Sequence, residues 1–340
     1  MKIRQITAPK EWNPINPAFD PSEPMQVGGQ AVIEGVMMRA KGMIATAVRR
    51  PNGSIVVRKE QFRSFAERHP RFNIPVMRGA VGLIEMMYVG IKTLNYSAEV
   101  ALGDPSESLS SAGAPKEKAS ALSLAATLVV AFAIGIGIFF FLPLFIATMM
   151  FRIEQQPFLF NFVAGAIRIT ILLAYLYSIS LMKDVRRLFQ YHGAEHKAVY
   201  TFEQNAPLEI SSAMKFTRFH PRCGTSFVLL VMFVSIVLFS VLDTALLLVV
   251  GSLSLPLRLV THIPFSPVVG GLSYEVLRFS ARHARSPVGR IIAAPGLWLQ
   301  RITTKEPNEA QMEVSLAAIR AALRLDGELI AVESTAAVDR

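Results

Sequence analysis

The sequence predicts a mainly α-helical integral membrane protein. It would have about four transmembrane helices, a small N-terminal cytoplasmic β-containing unit and a C-terminal amphipathic helix. Three observations predict this. Of 340 residues, 52% are hydrophobic and only 18% charged, with a mean hydropathy of +0.40, too apolar for an ordinary soluble domain. Ala119 to Phe151 carries no charge and is long enough to cross a hydrocarbon core of about 30 Å. Basic residues also gather in alternate loops, the bias that orients membrane proteins.

Residues 1–25 read as an extended arm with five prolines, Pro9, Pro14, Pro17, Pro21 and Pro24, and no apolar core of a secretory signal. Residues 26–103 form the next unit. In it Met43 to Arg50 and Ile55 to Lys59 are β-prone runs joined by Pro51-Asn52-Gly53-Ser54, a hairpin signal. Gly28-Gly29 fits tight backbone turns, since neither dinucleotide-binding nor P-loop spacing is present. Pro75 to Leu102 has a helical pattern whose apolar face suits the membrane surface. Residues 104–119 are rich in Ser, Ala and charge, and read as a linker.

The four-span domain is expected over 120–280. Its first span lies within Ala119 to Phe151. The second, Phe158 to Met182, holds Arg168 in mid-span, where a charge needs a partner. The third runs from about Ser226 to Val250. The fourth, about Pro256 to Leu277, is more polar, with Arg258, His262 and Glu275. Asp243 and Arg258 fall near span ends, where they are expected to snorkel toward an interface. The 183–225 loop holds Lys183, Arg186, Arg187, Lys197, Lys215, Arg218 and Arg222, and Arg278, Arg282, Arg285 and Arg290 follow the fourth span. Both termini and this loop are therefore expected on the cytoplasmic side of a bacterial inner membrane. Residues 281–340 read as a cytoplasmic tail. Its Trp298 suits an interface, and Asn308 would cap an amphipathic helix through Leu323 with Met312, Leu316 and Ile319 on the apolar face.

Composition narrows the function classes. The net charge of +10 suits basic segments against an anionic leaflet. No basic helix, zinc finger or aromatic-basic motif points to nucleic acid. A single cysteine, Cys223, excludes an internal disulfide. The expected partner is the lipid bilayer, with a peptide or lipid-linked substrate, and nothing in the pattern fixes an oligomeric state.

The chemistry concentrates in Tyr191-His192-Gly193-Ala194-Glu195-His196-Lys197. On a helix His192, Glu195 and His196 share one face, so two imidazoles can chelate one divalent cation beside a carboxylate able to take a proton from water. The pattern H-x-x-E-H is the inverted zinc-peptidase motif, and zinc is the default metal for such donors. Gly193 is a poor helix former within it. The topology brings His220 and Cys223, just before the third span, and Glu275, near the end of the fourth, to the same membrane face. Any of these three would serve as third ligand. His69 and His283 have basic surroundings and no such partners.

Five stretches together resemble the YqhQ family, domain of unknown function 1385. They are GGQAVIEGVMMR at 28–39, the 183–197 run ending in YHGAEHK, HPRCGTSF at 220–227, GLSYE at 271–275 and PGLWLQRITTKEP at 295–307. The family is bacterial with plastid relatives, and is labelled a predicted metal-dependent enzyme. The resemblance covers about residues 26–320. It implies a multi-span membrane protein whose motif positions are Glu34, His192, Glu195, His196, His220, Cys223 and Glu275, with H-x-x-E-H as the metal site.

The leading expectation is a membrane-embedded, zinc-dependent hydrolase open to the cytoplasm, with Glu195 as general base. The alternative is a non-enzymatic scaffold, assembly factor or transporter component. A third idea makes Cys223 a nucleophile with His220 as its base.

Overall fold

The computed structural model describes residues 27–40, 42–103, 121–283, 286–324 and 332–334. The arm expected over 1–25 lies outside the described residues, as does the linker expected over 104–119.

Four antiparallel strands form a meander: β1 (Gly28–Val32), β2 (Gly35–Ala40), β3 (Met43–Arg49) and β4 (Ile55–Gln61). The β3–β4 hairpin turns at Gly53, whose φ of +87° glycine accepts without strain. A short fifth strand, β5 (Val332–Ser334), pairs parallel to β4. Side chains alternate across the sheet, as the two-residue period requires. Val36, Met38, Ala45 and Ala47 face one way, while Met37, Ile44 and Val48 face the other.

Both faces are covered. After a short α1 (Phe65–Arg68), α2 (Met77–Ala101) packs Val89 against Met37 and Ile44. The opposite face receives α6 (Lys183–Glu203) through Tyr191, Ala194 and Ala198, and α11 (Glu309–Ala322) through Met312, Leu316 and Ile319. Asn308 caps α11 in a reciprocal pair with Gln311, a device worth about 1 kcal/mol. The stretch read from sequence as a tail thus supplies a central helix of this three-layer unit.

Among the described residues, three helical segments are long and apolar enough to cross a membrane: Val129–Phe151, Pro157–Ser180 and Gly224–Val250. The first comprises α3 (Ala121–Ile136) and α4 (Leu142–Phe151), joined through a π-helical turn at Gly137–Phe141. The others are α5 (Pro157–Ser180) and α8 (Gly224–Val250), which run antiparallel, with α6 and a short α7 (Ile210–Ala213) between them in the chain. Three such helices are shown where four spans were expected. The fourth candidate lies in α9 (Leu255–Arg282), which has the length but carries Arg258, His262, Glu275, Arg278 and Arg282 and two internal prolines. It packs on α8 and α2, and α10 (Pro287–Thr303) packs on both α8 and α9.

Asp243 and Arg258 do not snorkel. Both are fully buried, because the C-terminal half of α8 faces the start of α9 and their side chains pair there, with Arg258 Nε donating to Asp243 Oδ2 at 2.8 Å. Pairing inside the bundle satisfies each charge better than a stretched side chain reaching for an interface.

Candidate metal centre

The candidate centre sits where α6, the N-terminus of α8 and the C-terminus of α10 meet, at the end of the bundle nearest the sheet. α6 is a regular helix, so His192 and His196 stack one turn apart with ring centroids 4.5 Å from each other. Each ring is held by its Nδ1. His192 Nδ1 donates to the Thr303 carbonyl at 2.8 Å, and His196 Nδ1 to the Arg218 carbonyl at 2.5 Å. A carbonyl only accepts, so both imidazoles carry the proton on Nδ1 and turn the Nε2 lone pair inward. His192 Nε2 lies 3.2 Å from Cys223 Sγ. His196 Nε2 is buried with no hydrogen-bond partner among the described residues. One donor atom from each of His192, His196 and Cys223 lies within 4.8 Å of the other two.

Cys223 is the N-cap of α8, and its sulfur accepts from the Thr225 amide at 3.4 Å and sits 3.1 Å from the Thr225 hydroxyl. Helix N-termini offer amides and a positive dipole end, the setting in which an anionic ligand is held. Burial lowers the pKa of His196, favouring the neutral form that metal ligation needs.

Donor chemistry and geometry fit a metal. Two imidazoles fixed by backbone carbonyls and one thiol make a three-ligand set of the kind that zinc takes. The His196 Nε2 lone pair accepts no hydrogen bond from the described residues, which leaves it available to a metal. Donors around zinc, with bonds of about 2.0–2.3 Å, need only small side-chain adjustments from the spacing observed here.

Glu195 is buried beside this set. Its Oε2 lies 3.5 Å from His196 Nε2, and the Gly29 amide donates to its carboxylate. Burial raises its pKa, while His192, His220 and the Gly29 amide oppose the rise. A Cβ on Gly29 would fall 2.8 Å from Glu195 Cγ, so the glycine-rich strand β1 is what lets Glu195 fit.

The other expected ligands are elsewhere. His220 is buried, but its Nε2 faces Glu203 at 3.3 Å and its Nδ1 accepts from the Arg222 amide at 3.3 Å. Its pKa too is lowered by burial. The imidazole beside the sulfur is therefore that of His192, and not the His220 base considered for a Cys223 nucleophile. Glu275 forms a two-point ion pair with Arg78, at 2.7 Å and 2.5 Å, joining α9 to α2 away from the histidines. Glu34, in the β1–β2 turn with a φ of +52°, binds Arg187 and the Tyr191 hydroxyl at the base of α6.

The sequence reading missed the supports. Gln300 accepts from the His220 amide at 2.7 Å and donates to the His220 carbonyl at 2.8 Å, fixing the loop before Cys223. Arg218 donates to the Thr304 carbonyl at 2.9 Å, and Lys197 pairs with Glu306 at 3.0 Å. These tie residues 300–306 over the histidine face of α6. Backbone carbonyls leave no letter in the sequence, although the polar run Gln300 to Glu306 within an apolar helix end was a usable signal.

A family described as a protein of unknown function (DUF1385) matches residues 74–325. The chain is 35% identical over 310 residues to the Uncharacterized protein YqhQ of Bacillus subtilis (strain 168), an alignment covering 89% of this chain and 94% of that one. No solved structure matches.

Proposed function

The chain belongs to the DUF1385 family, and from that premise we propose that it is a membrane-embedded, metal-dependent hydrolase. His192, His196 and Cys223 would hold one divalent ion, zinc by donor type. The observation that carries this reading is the pair of inward Nε2 atoms, both set by Nδ1 contacts to backbone carbonyls and turned onto one sulfur. His220 and Glu275 have no part in the ligand set, since each is committed to other partners.

The metal would supply Lewis acidity to a carbonyl or phosphoryl oxygen. Glu195 would take the proton of the attacking water, and a carboxyl lifted by burial is better matched to that task near neutral pH. Thr303 and Arg218 would keep both imidazoles in one tautomer through the cycle, and Lys197 with Glu306 would close the segment over them.

The experiment is the metal content of purified full-length protein, beside His192→Ala and His196→Ala. About one zinc per wild-type chain and a loss in both variants are expected. Equal, near-zero metal in all three would sink the reading.

The substrate would be borne at the membrane, as a peptide bond or a lipid-linked group. α10, whose C-terminal end adjoins the candidate centre, exposes Ile291 and Trp298, and Leu181 and Met182 are exposed between α5 and α6. Apolar side chains beside basic residues Lys183, Arg186 and Arg187 suit the inner-leaflet interface, with both termini cytoplasmic. Trp298 tests this directly. It is half exposed and is one of only two tryptophans, the other being Trp12. In a Trp12→Phe protein in liposomes, lipids brominated near the headgroup are expected to quench most of the fluorescence. Quenching equal to that by a water-soluble quencher alone would place the centre away from the bilayer.

A further inference from the structure

Four ionisable side chains lie inside the apolar bundle, and their charges do not balance. Asp243, Arg258 and His262 have no exposed surface, and Arg168 is 8% exposed. Asp243 is fully engaged: Oδ2 accepts from Asn161 Nδ2 at 2.7 Å and Arg258 Nε at 2.8 Å, and Oδ1 accepts from His262 Nε2 at 2.8 Å. Arg258 also donates to the Glu154 carbonyl at 2.6 Å and stacks on Phe160. Asp243 thus neutralises Arg258.

Arg168 is left over. It donates weakly to Ser235 Oγ at 3.3 Å and lies over the Phe140 ring at 5.3 Å. Its Nε is buried without a partner, and among the described residues no carboxylate pairs with it. A guanidinium keeps its charge, and an uncompensated buried charge costs several kcal/mol. The surroundings are shaped for something: the π-helical turn at Gly137–Phe141 brings Phe140 to Arg168, and such turns concentrate at functional sites. The same ring lies 6.5 Å from that of His262, edge to face, and Arg258 Nη1 is a further buried donor without a partner among the described residues.

We propose that Arg168, through its buried and unpartnered Nε, binds a small monovalent anion of halide or nitrate chemistry inside the span bundle. One negative charge balances the one surplus cation. Depth argues against a lipid headgroup, because Arg168 is eleven residues into α5, roughly 16 Å along a helix rising 1.5 Å per residue. Burial argues against a carboxylate from a neighbouring helix, which could not reach Nε without opening the bundle.

The test uses full-length protein in nanodiscs, with Tm followed against sodium chloride or nitrate and with gluconate keeping ionic strength constant. Wild-type Tm is expected to rise by a few degrees and saturate with chloride or nitrate, and to stay flat with gluconate alone. Arg168→Met fills the space without the charge, so it is expected to melt above wild type in gluconate and to lose the anion response. A wild type insensitive to anion identity would overturn the proposal, as would an Arg168→Met protein with an unchanged response. Should that variant fail to fold, equilibrium dialysis of wild type against labelled chloride decides. About one saturable site per chain is expected, and no saturable binding refutes it. The metal reading is separate, and a metal-free His192→Ala protein is expected to keep the full anion response.

Discussion

Asp243→Ala is expected to be the most damaging single substitution in the bundle, lowering stability by about 3–5 kcal/mol, the range seen when one partner of a buried ion pair is removed. The side chain has no exposed surface, so solvent does not screen the loss. Its carboxylate is the shared acceptor for Asn161 of α5 and for Arg258 and His262 of α9, so it ties two helices to α8. Without it, Arg258 keeps only the Glu154 carbonyl and the Phe160 ring, and two cationic guanidiniums are left in an apolar interior. Asp243→Asn retains part of the hydrogen bonding and is expected to fall between wild type and alanine. Thermal unfolding in detergent and protease resistance of the spans measure both. An alanine variant melting within a degree or two of wild type would show that the network adds nothing to the fold. The contrast with Arg168→Met is the sharper check: the two changes remove charges of opposite sign from one bundle, and opposite shifts in Tm are expected.

These contacts mark where the sequence ceased to be legible. The three apolar spans were readable because hydrocarbon tolerates few alternatives to an uncharged helix, and the Asn308 cap because its chemistry is local. His192, Glu195 and His196 shared a face by helical period alone. Nothing local distinguishes an Asp243 that snorkels from one that pairs fifteen residues onward with Arg258 across a helical hairpin, and for the same reason composition alone does not make α9 a fourth span. α9 carries polar residues because its neighbours satisfy them, so its composition conceals how it packs. The choice of third ligand also depended on tertiary placement. Cys223 and Glu275 both lie near the same end of the bundle, but Arg78 on α2 holds the glutamate.

Gly193 shows how a residue that weakens the motif by propensity can be required by packing. In an exposed helix, Gly→Ala stabilises by about 1 kcal/mol. Here a Cβ at 193 would fall 2.0 Å from the Lys305 carbonyl oxygen and 3.5 Å from Pro307 Cδ. The obstacle is backbone, pinned by the Lys305 amide donating to the Phe189 carbonyl at 2.8 Å, so it cannot yield as a side-chain tip would. Relief requires moving residues 303–307 off α6, and that movement takes the Thr303 carbonyl away from His192 Nδ1 and loosens Lys197 from Glu306. Overpacking of this kind costs about 1–3 kcal/mol, more than the helix gains. Gly193→Ala is therefore expected to melt below wild type and, if the proposed centre holds metal, to retain less zinc, with the imidazole free to rotate. Both readouts come from one purified sample, by calorimetry and elemental analysis. A more stable Gly193→Ala protein with full metal content would mean that the 303–307 segment does not lie on the helix, and that His192 takes its orientation from something else.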